Sequence, residues 1–281
     1  MSASIKLSSP ATREFWEIPV VFEDAHVLAL DKPAGLLTAA DRHDPAQPSL
    51  IGLVQAALAA GKPWAVERGL TYLNPAHRLD AETSGVILLA KSKPLMVALA
   101  NQFGTDQPQA KYVALARGVP RAEQFEVDAK IAPDPLTPGL MRVDSRQGKR
   151  SKTLVSVVET FRDYVWLSCR PVTNRTHQIR VHLRHTGLPI VGDALYGGKP
   201  LLLSRLKRDY RLKPGRTERP LLARAALHIE KLTVIHPVTA ETVTFTAPLP
   251  KDLRVALKYL REHGGASLGR YVANDDEQAA L

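Results

Sequence analysis

Residues 74–92 read NPAHRLDAETSGVILLAKS. A polar stretch with no amphipathic period carries Arg78, Asp80, Thr83 and Ser84, and at Gly85 it gives way to an apolar run. That run, GVILLAKS (85–92), predicts a strand, and its unbroken apolar character places the strand centrally in a sheet. Asp80 is then expected on a loop held by a rigid sheet, which is how many sites are built. Arg78, two residues away, favours an ionised carboxylate. Such a carboxylate can act as a nucleophile or stabilise developing charge on a sugar. Taken alone, Arg78 beside Asp80 reads more readily as a structural ion pair than as a catalyst, so the surroundings must decide.

Outward from this strand the pattern is rich in strands. Val20–Phe22 and Val27–Leu30 flank a turn at Glu23-Asp24, and Pro33-Ala34-Gly35 forces another turn. Residues 110–119, 153–161, 163–172, 226–237 and 241–248 also read as strands. Ser92 is placed to cap a helix with Pro94 in its first turn; Leu95, Leu99 and Phe103 share a face and Gly104 ends it. A second helix runs from a cap at Thr176 to about His185, with Gly187 beyond, and a third spans DLRVALKYLREHGG with Asp252 as cap and Gly264 as stop. Many strands, few helices and no strict β-α-β alternation predict an α+β fold: one domain with a central mixed, largely antiparallel sheet flanked by helices and loops. Its expected limits are 16–264, with a flexible arm at 1–15 and a tail at 265–281.

The chain of 281 residues is 44% hydrophobic, enough to bury a sizeable core. Its net charge of +10 favours a polyanionic partner, nucleic acid or an anionic membrane surface, although basicity also serves solubility. Cys169 is the sole cysteine, which excludes an intramolecular disulfide and a cysteine-based zinc site. No run is apolar and long enough for a signal peptide or a membrane span, so a cytosolic protein is expected.

Three further segments could carry chemistry. In PVTNRTHQIRVHLRHTGLPIVGDALYGG (171–198), Arg180 and Arg184 are four apart on the expected helix and would repel unless an anion lies near. His177, His182 and His185 lack a carboxylate or cysteine at ligand spacing, so no metal is assigned. Tyr112, in QAKYVALARG, reads as a half-buried strand residue or as a stacking partner for a base. Residues 199–220, KPLLLSRLKRDYRLKPGRTERP, carry eight Lys/Arg against two acidic residues. They read as a basic insertion, either a solvated loop or a phosphate-binding strip.

Read together, the segments resemble the RluA-type pseudouridine synthases. HRLDAETSGVILLAKS is similar to that family's HRLD-x-x-TSG motif and following strand. VLALDKPAGLLT resembles its lysine-proline-x-glycine segment, KYVALARG its tyrosine strand, and NRTHQIRVHLRHTGLPIVGDALYGG its third motif. RAALHIEKLTVIHPVTAETVTFTAPLP (224–250) resembles its closing strands. The resemblance covers about residues 18–262, in order. Asn174 stands where glycine is usual before the arginine, and Ile229 where alanine is common. The S4 RNA-binding domain often found ahead of the catalytic domain has no counterpart in the residues before the first matched strand, which leaves RNA binding to the catalytic domain.

The resemblance implies isomerisation of uridine to pseudouridine in structured RNA, ribosomal or transfer, with no cofactor and no metal. It makes Asp80 the catalytic aspartate and Arg180 its pairing cation. Arg78 would meet a phosphate or the space left by the flipped base. Tyr112 would stack on the uracil and help remove its C5 proton, and Ile179 would line the apolar wall. Arg175, His177, Arg184, Arg205, Lys207, Arg208 and Arg211 are the expected RNA contacts. No membrane and no obligate protein partner is implied, and a monomer is expected. The competing readings are a non-catalytic RNA-binding protein on the same scaffold and another glycosidic-bond enzyme, a nucleosidase or glycosylase.

Overall fold

The computed structural model describes residues 3–41, 44, 46–207, 209–213 and 215–265. It opens with strands β1 (Ser4–Ser9), β2 (Glu14–Glu23) and β3 (Val27–Lys32), helices α1 (Leu50–Ala59) and α2 (Pro63–Val66), and strands β4 (Asn74–Pro75) and β5 (Ser84–Ala90). Helix α3 (Lys93–Gly104) follows, then β6 (Gln109–Arg117), β7 (Gln124–Asp128), β8 (Ile131–Pro133), β9 (Met141–Val143), β10 (Lys152–Thr160) and β11 (Tyr164–Pro171). The chain closes with α4 (Gln178–His185), a 3-10 turn at Ala194–Tyr196, α5 (Leu203–Leu206), β12 (Leu227–Ile235), β13 (Thr242–Thr246) and α6 (Lys251–His263). The class is α+β, with most strands paired antiparallel, as expected. Among the described residues no helix is long and apolar enough to cross a membrane.

The chain divides into two compact units, Met1–Tyr112 with Leu227–Pro250, and Val113–Ala226 with Lys251–Leu281. In the first, β5 is the buried strand its apolar run implies: all seven residues are buried. β3 pairs with it antiparallel, Leu30 opposite Ile87. β12 pairs with it in parallel, His228 opposite Ser84, which makes the sheet mixed. The Asp24 carboxylate builds the expected turn between β2 and β3 by accepting from the amides of His26 and Val27, both at 2.7 Å. Helix α1 lays Leu50, Leu53, Val54 and Ala57 into this core.

Within the N-terminal arm expected to be loose, Ser4–Ser9 form a strand instead. β1 pairs antiparallel with β2 over Ser4–Ser9 and buries Ile5 and Leu7. Its alternation is only two apolar residues long, too short to stand out in sequence. Helix α1 and the β8–β9 ribbon were likewise not anticipated.

In the second unit β10 pairs with β11, Val155 opposite Cys169, and β7 pairs with the other edge of β10. Cys169 is a core residue, and burial pushes its thiol up to about 12. Helix α6 buries Leu253, Ala256, Leu257 and Leu260, one apolar stripe at helical spacing. Two expected caps are corrected. The residue at the head of α4 is His177 rather than Thr176, and it caps without a side-chain bond. Asp252 lies inside the first turn of α6, where its carboxylate is forked by Arg224 at 2.7 and 3.0 Å. Of the tail assigned to 265–281, residues 266–281 lie outside the described residues.

Candidate active site

Asp80 lies in the loop between β4 and β5, and its neighbours are tied down one after another. The Ala76 amide donates to the Leu88 carbonyl at 2.8 Å, and the Leu88 amide donates to His77 Nε2 at 3.0 Å. The buried Thr38 hydroxyl accepts from the Leu79 amide at 3.1 Å and donates to the Leu79 carbonyl at 2.9 Å. The Ala81 carbonyl accepts from the Gly35 amide at 2.8 Å and from Lys32 Nζ at 3.2 Å. The Thr83 amide donates back to the Asp80 carbonyl at 3.1 Å. A loop with its polar backbone groups so fully engaged holds a side chain nearly as firmly as a strand does.

In the sequence Lys32 has no role beyond its place in the lysine-proline-x-glycine segment before a turn. It is fully buried, and its ammonium donates to the carbonyls of Pro33 (2.9 Å), Leu36 (2.6 Å) and Ala81 (3.2 Å). It therefore clips the lysine-proline turn to the residue that follows Asp80. His77 stacks on Phe103 of α3, centroids 4.7 Å apart. Burial pushes its imidazole down to about 4, against a smaller opposing effect of a backbone hydrogen bond at Arg78. It is thus neutral, with Nε2 accepting and the proton on Nδ1.

At the far end of the loop, Ser84 Oγ lies 3.0 Å from Nδ1 of the buried His228. Gly85 has φ of +112°, and a Cβ there would lie 2.1 Å from the Ile229 carbonyl oxygen. Only glycine lets β12 come this close to β5.

The Asp80 side chain is half-buried, and Arg78 beside it is exposed. Among the described residues Arg78 makes no ion pair, so the structural Arg78–Asp80 bridge is not formed. Asp80 acts instead on Tyr112: burial first, and the Asp80 charge second, push the phenol well above the ordinary tyrosine range. The Asp80 carboxyl and a neutral phenol on half-buried Tyr112 thus share one environment.

The second motif is centred on α4. Arg180 and Arg184 do not share an environment, for Arg180 is buried and Arg184 exposed. Arg180 donates Nε to Asp193 Oδ2 and Nη2 to Asp193 Oδ1, both at 2.7 Å, and its Cζ lies 4.9 Å from the centroid of the Tyr196 ring. Ile179 is buried beside it in sequence. The left-handed residue of this turn is His177, at φ of +55°, not Asn174. His177 Nδ1 lies 2.7 Å from the Tyr196 hydroxyl. Both ring nitrogens of His182 are engaged, with the Thr153 hydroxyl and the Ala129 carbonyl at 2.9 Å each. Arg175 donates to the carbonyls of Arg150 and Asn174. Within 199–220, a bridge between Leu201 and Leu222 closes the segment, the Ser204 amide donates to Glu218, and Arg205, Lys207 and Arg211 are exposed. Arg208 lies outside the described residues.

Residues 26–185, more than half the chain, match the family described as RNA pseudouridylate synthase. The chain belongs to the RNA pseudouridylate synthase family. The synthase is 33% identical over 266 residues to the ribosomal large subunit pseudouridine synthase D of Zymomonas mobilis, covering 92% of this chain and 78% of that one. It is 37% identical to the synthase D of Xanthomonas campestris, covering 86% of this chain and 69% of that one, and 35% identical to the synthase C of Salmonella typhi, covering 86% and 70%. Among solved structures, human RNA pseudouridylate synthase domain containing 4 superposes with a TM-score of 0.63 at 23% identity, over 86% of this chain and 92% of that one, a likeness of fold.

Lys32, Thr38 and His228, which hold the ends and middle of the Asp80 loop, and Asp193, which forks Arg180, were missed from the sequence. The signal for each is burial of a polar group, which a single sequence does not display.

Proposed function

We propose that this synthase converts uridine to pseudouridine in ribosomal RNA of the large subunit, with Asp80 as the catalytic residue. The observation that carries the assignment is the Asp80 carboxylate, presented on a loop clamped by hydrogen bonds and near enough to the half-buried Tyr112 to raise its phenol. Relatives named ribosomal large subunit pseudouridine synthases D and C support the substrate class.

The bond between N1 and C1′ breaks, the uracil rotates, and C5 bonds to C1′; C5 then loses its proton and N1 gains one. The uridine reaches the site by flipping out of its stack, which costs a few kcal/mol. Cationic contacts to phosphate supply that energy, and the residues proposed for them are Arg175, His177, Arg184, Arg205, Lys207, Arg208 and Arg211. Asp80 acts at the ribose C1′, with Arg180 as its partner cation. Tyr112 stacks on the uracil, Ile179 lines the apolar wall and Arg78 reaches the RNA. The cytosolic, monomeric state expected from the sequence belongs to the same proposal.

Tritium release from RNA labelled at uridine C5, measured beside a thermal melt, tests Asp80. Asp80→Asn is expected to abolish release while the melt and RNA affinity stay close to wild type. Turnover near wild type would sink the assignment. Mapping pseudouridine in total RNA with and without the gene tests the substrate: loss confined to transfer RNA refutes the ribosomal reading.

A further inference from the structure

The proposal assigns Arg180 to the reaction, and an arginine side chain with four rotatable bonds does not aim itself. Its guanidinium is planar and offers two edges suited to a carboxylate or phosphate. One edge, Nε with Nη2, is taken by both oxygens of Asp193 at 2.7 Å. One face lies over the Tyr196 ring, with Cζ 4.9 Å from its centroid. Fixing an edge and a face of a planar group fixes its orientation. The edge that can engage a second carboxylate or phosphate, Nη1 with the other Nη2 hydrogen, then has one direction.

The two supports are themselves rigid. Asp193 is 0% exposed, and its carbonyl accepts from the amides of Tyr196 (3.1 Å) and Gly198 (2.8 Å). The turn before it depends on Gly192, at φ of +78°, where a Cβ would lie 1.9 Å from the Arg224 carbonyl oxygen. Tyr196 is 1% exposed. Its hydroxyl accepts from the Met141 amide at 3.0 Å, and with that pair engaged its own proton points to His177 Nδ1, 2.7 Å away. His177 holds a left-handed conformation unusual for a residue with a Cβ, and it sits at the head of the helix that carries Arg180. One ring thus ties β9, the start of α4 and the guanidinium together.

We propose that Asp193 is a positioning residue for the isomerisation and that, together with the Tyr196 ring, it aims Arg180 at an anionic oxygen of the reacting site. The proposal rests on the assignment of Arg180 to the reaction given above. Asp193 needs no contact with substrate to act in this way. Asp193→Asn keeps the shape but turns one acceptor into a donor, which cannot face an arginine N–H. The fork is lost while the volume is kept.

Single-turnover pseudouridine formation and RNA affinity, measured on the full chain, test it. Asp193→Asn should slow the single-turnover rate at least 100-fold with RNA affinity changed less than threefold. Tyr196→Leu, which removes the ring face, should slow it about tenfold and serves where Asp193→Asn fails to fold. The decisive readout is a double-mutant cycle, because a residue that acts through Arg180 has nothing left to contribute once Arg180 is gone. The rate of Asp193→Asn with Arg180→Met should therefore equal that of Arg180→Met alone, and the same holds for Tyr196→Leu with Arg180→Met. Losses that multiply overturn the proposal, as does a folded Asp193→Asn variant with wild-type rate beside an impaired Arg180→Met. Wild-type rate in Arg180→Met itself overturns the underlying assignment, and the two failures are distinct.

Discussion

Replacing Lys32 by Met tests whether the Asp80 loop is held from beneath. The side chains are similar in length, so the change removes the charge and three donors but leaves most of the packing. In the folded chain the ammonium donates to the carbonyls of Pro33, Leu36 and Ala81, at 2.9, 2.6 and 3.2 Å, and no part of Lys32 meets solvent. Three carbonyls lose this partner, that of Leu36 in a buried bond and those of Pro33 and Ala81 in part-buried ones, and Ala81 keeps the Gly35 amide, so the loss is roughly 3–5 kcal/mol. Relief from burying an ammonium offsets a few kcal/mol of that. A net loss of about 2 kcal/mol follows, or roughly 4–8 °C in melting temperature for a chain of this size. Turnover should fall further than stability does, by at least about tenfold, because displacing a reacting group by a fraction of its bond length is enough. Calorimetry gives the first quantity, and tritium release well below the melt gives the second. Lys32→Met that melts within 1 °C of wild type and turns over at the same rate would refute the clamp.

Burial raises the Asp31 carboxyl to about 6, so the folded chain holds a proton that the unfolded chain releases near pH 4. The stability linked to this group is present below about pH 4 and is lost as pH rises through about 6. Asp31→Asn should therefore stabilise the protein at pH 7 by about 1–2 kcal/mol, discounted for the partial exposure of the site, and should do little at pH 3.5; equal effects at both pH values in urea melts would contradict the burial effect. Gly85→Ala forces a Cβ to within 2.1 Å of the Ile229 carbonyl oxygen and should cost about 3 kcal/mol or more, read as a lowered urea midpoint or loss of soluble protein. Neutralising Arg205, Lys207, Arg208 and Arg211 together should lower the slope of log affinity against log salt by up to about 3, and an unchanged slope would remove 199–220 from the RNA surface.

The fold class and the loop bearing Asp80 were legible because they rest on local signals. The apolar run of β5 is five residues long, 86–90, and Gly85 precedes it, and the turns nearby carry Pro33, Gly35 and Asp24. Residues such as Ile5 and Leu7 were not legible, since two apolar positions in a polar arm predict burial only when a partner strand is known. The buried charged residues were hidden for a related reason. Lys32, Asp193 and Glu159 are charged residues that sequence statistics place on surfaces, yet each is buried because a partner elsewhere in the chain satisfies it: Ala81 for Lys32, Arg180 for Asp193, and Arg261 for Glu159. Pairings over 49 and 102 residues are set by topology, not by spacing. Arg78 and Asp80 lie two apart in the motif yet differ in exposure, Arg78 being exposed and Asp80 half-buried.

The state of Tyr112 decides what it can contribute. A phenol removes a proton as phenolate, and burial, the larger effect, together with the Asp80 charge, opposes that form. If Asp80 becomes bonded to the ribose its charge is gone, but the larger cause remains and the phenol stays neutral. The prediction is that Tyr112 serves by its ring and as a neutral hydroxyl that can pass a hydrogen bond, rather than as the base for the C5 proton. Base–aromatic stacking contributes about 1–3 kcal/mol, or roughly tenfold to 100-fold in occupancy of the flipped state. Tyr112→Phe keeps that face and should retain measurable turnover with an unaltered pH profile. Tyr112→Leu loses the face and should fall at least about tenfold below Tyr112→Phe. Tyr112→Phe as inactive as Asp80→Asn, in a folded protein that still binds RNA, would show that the hydroxyl itself carries the proton and that burial does not hold it neutral during the reaction.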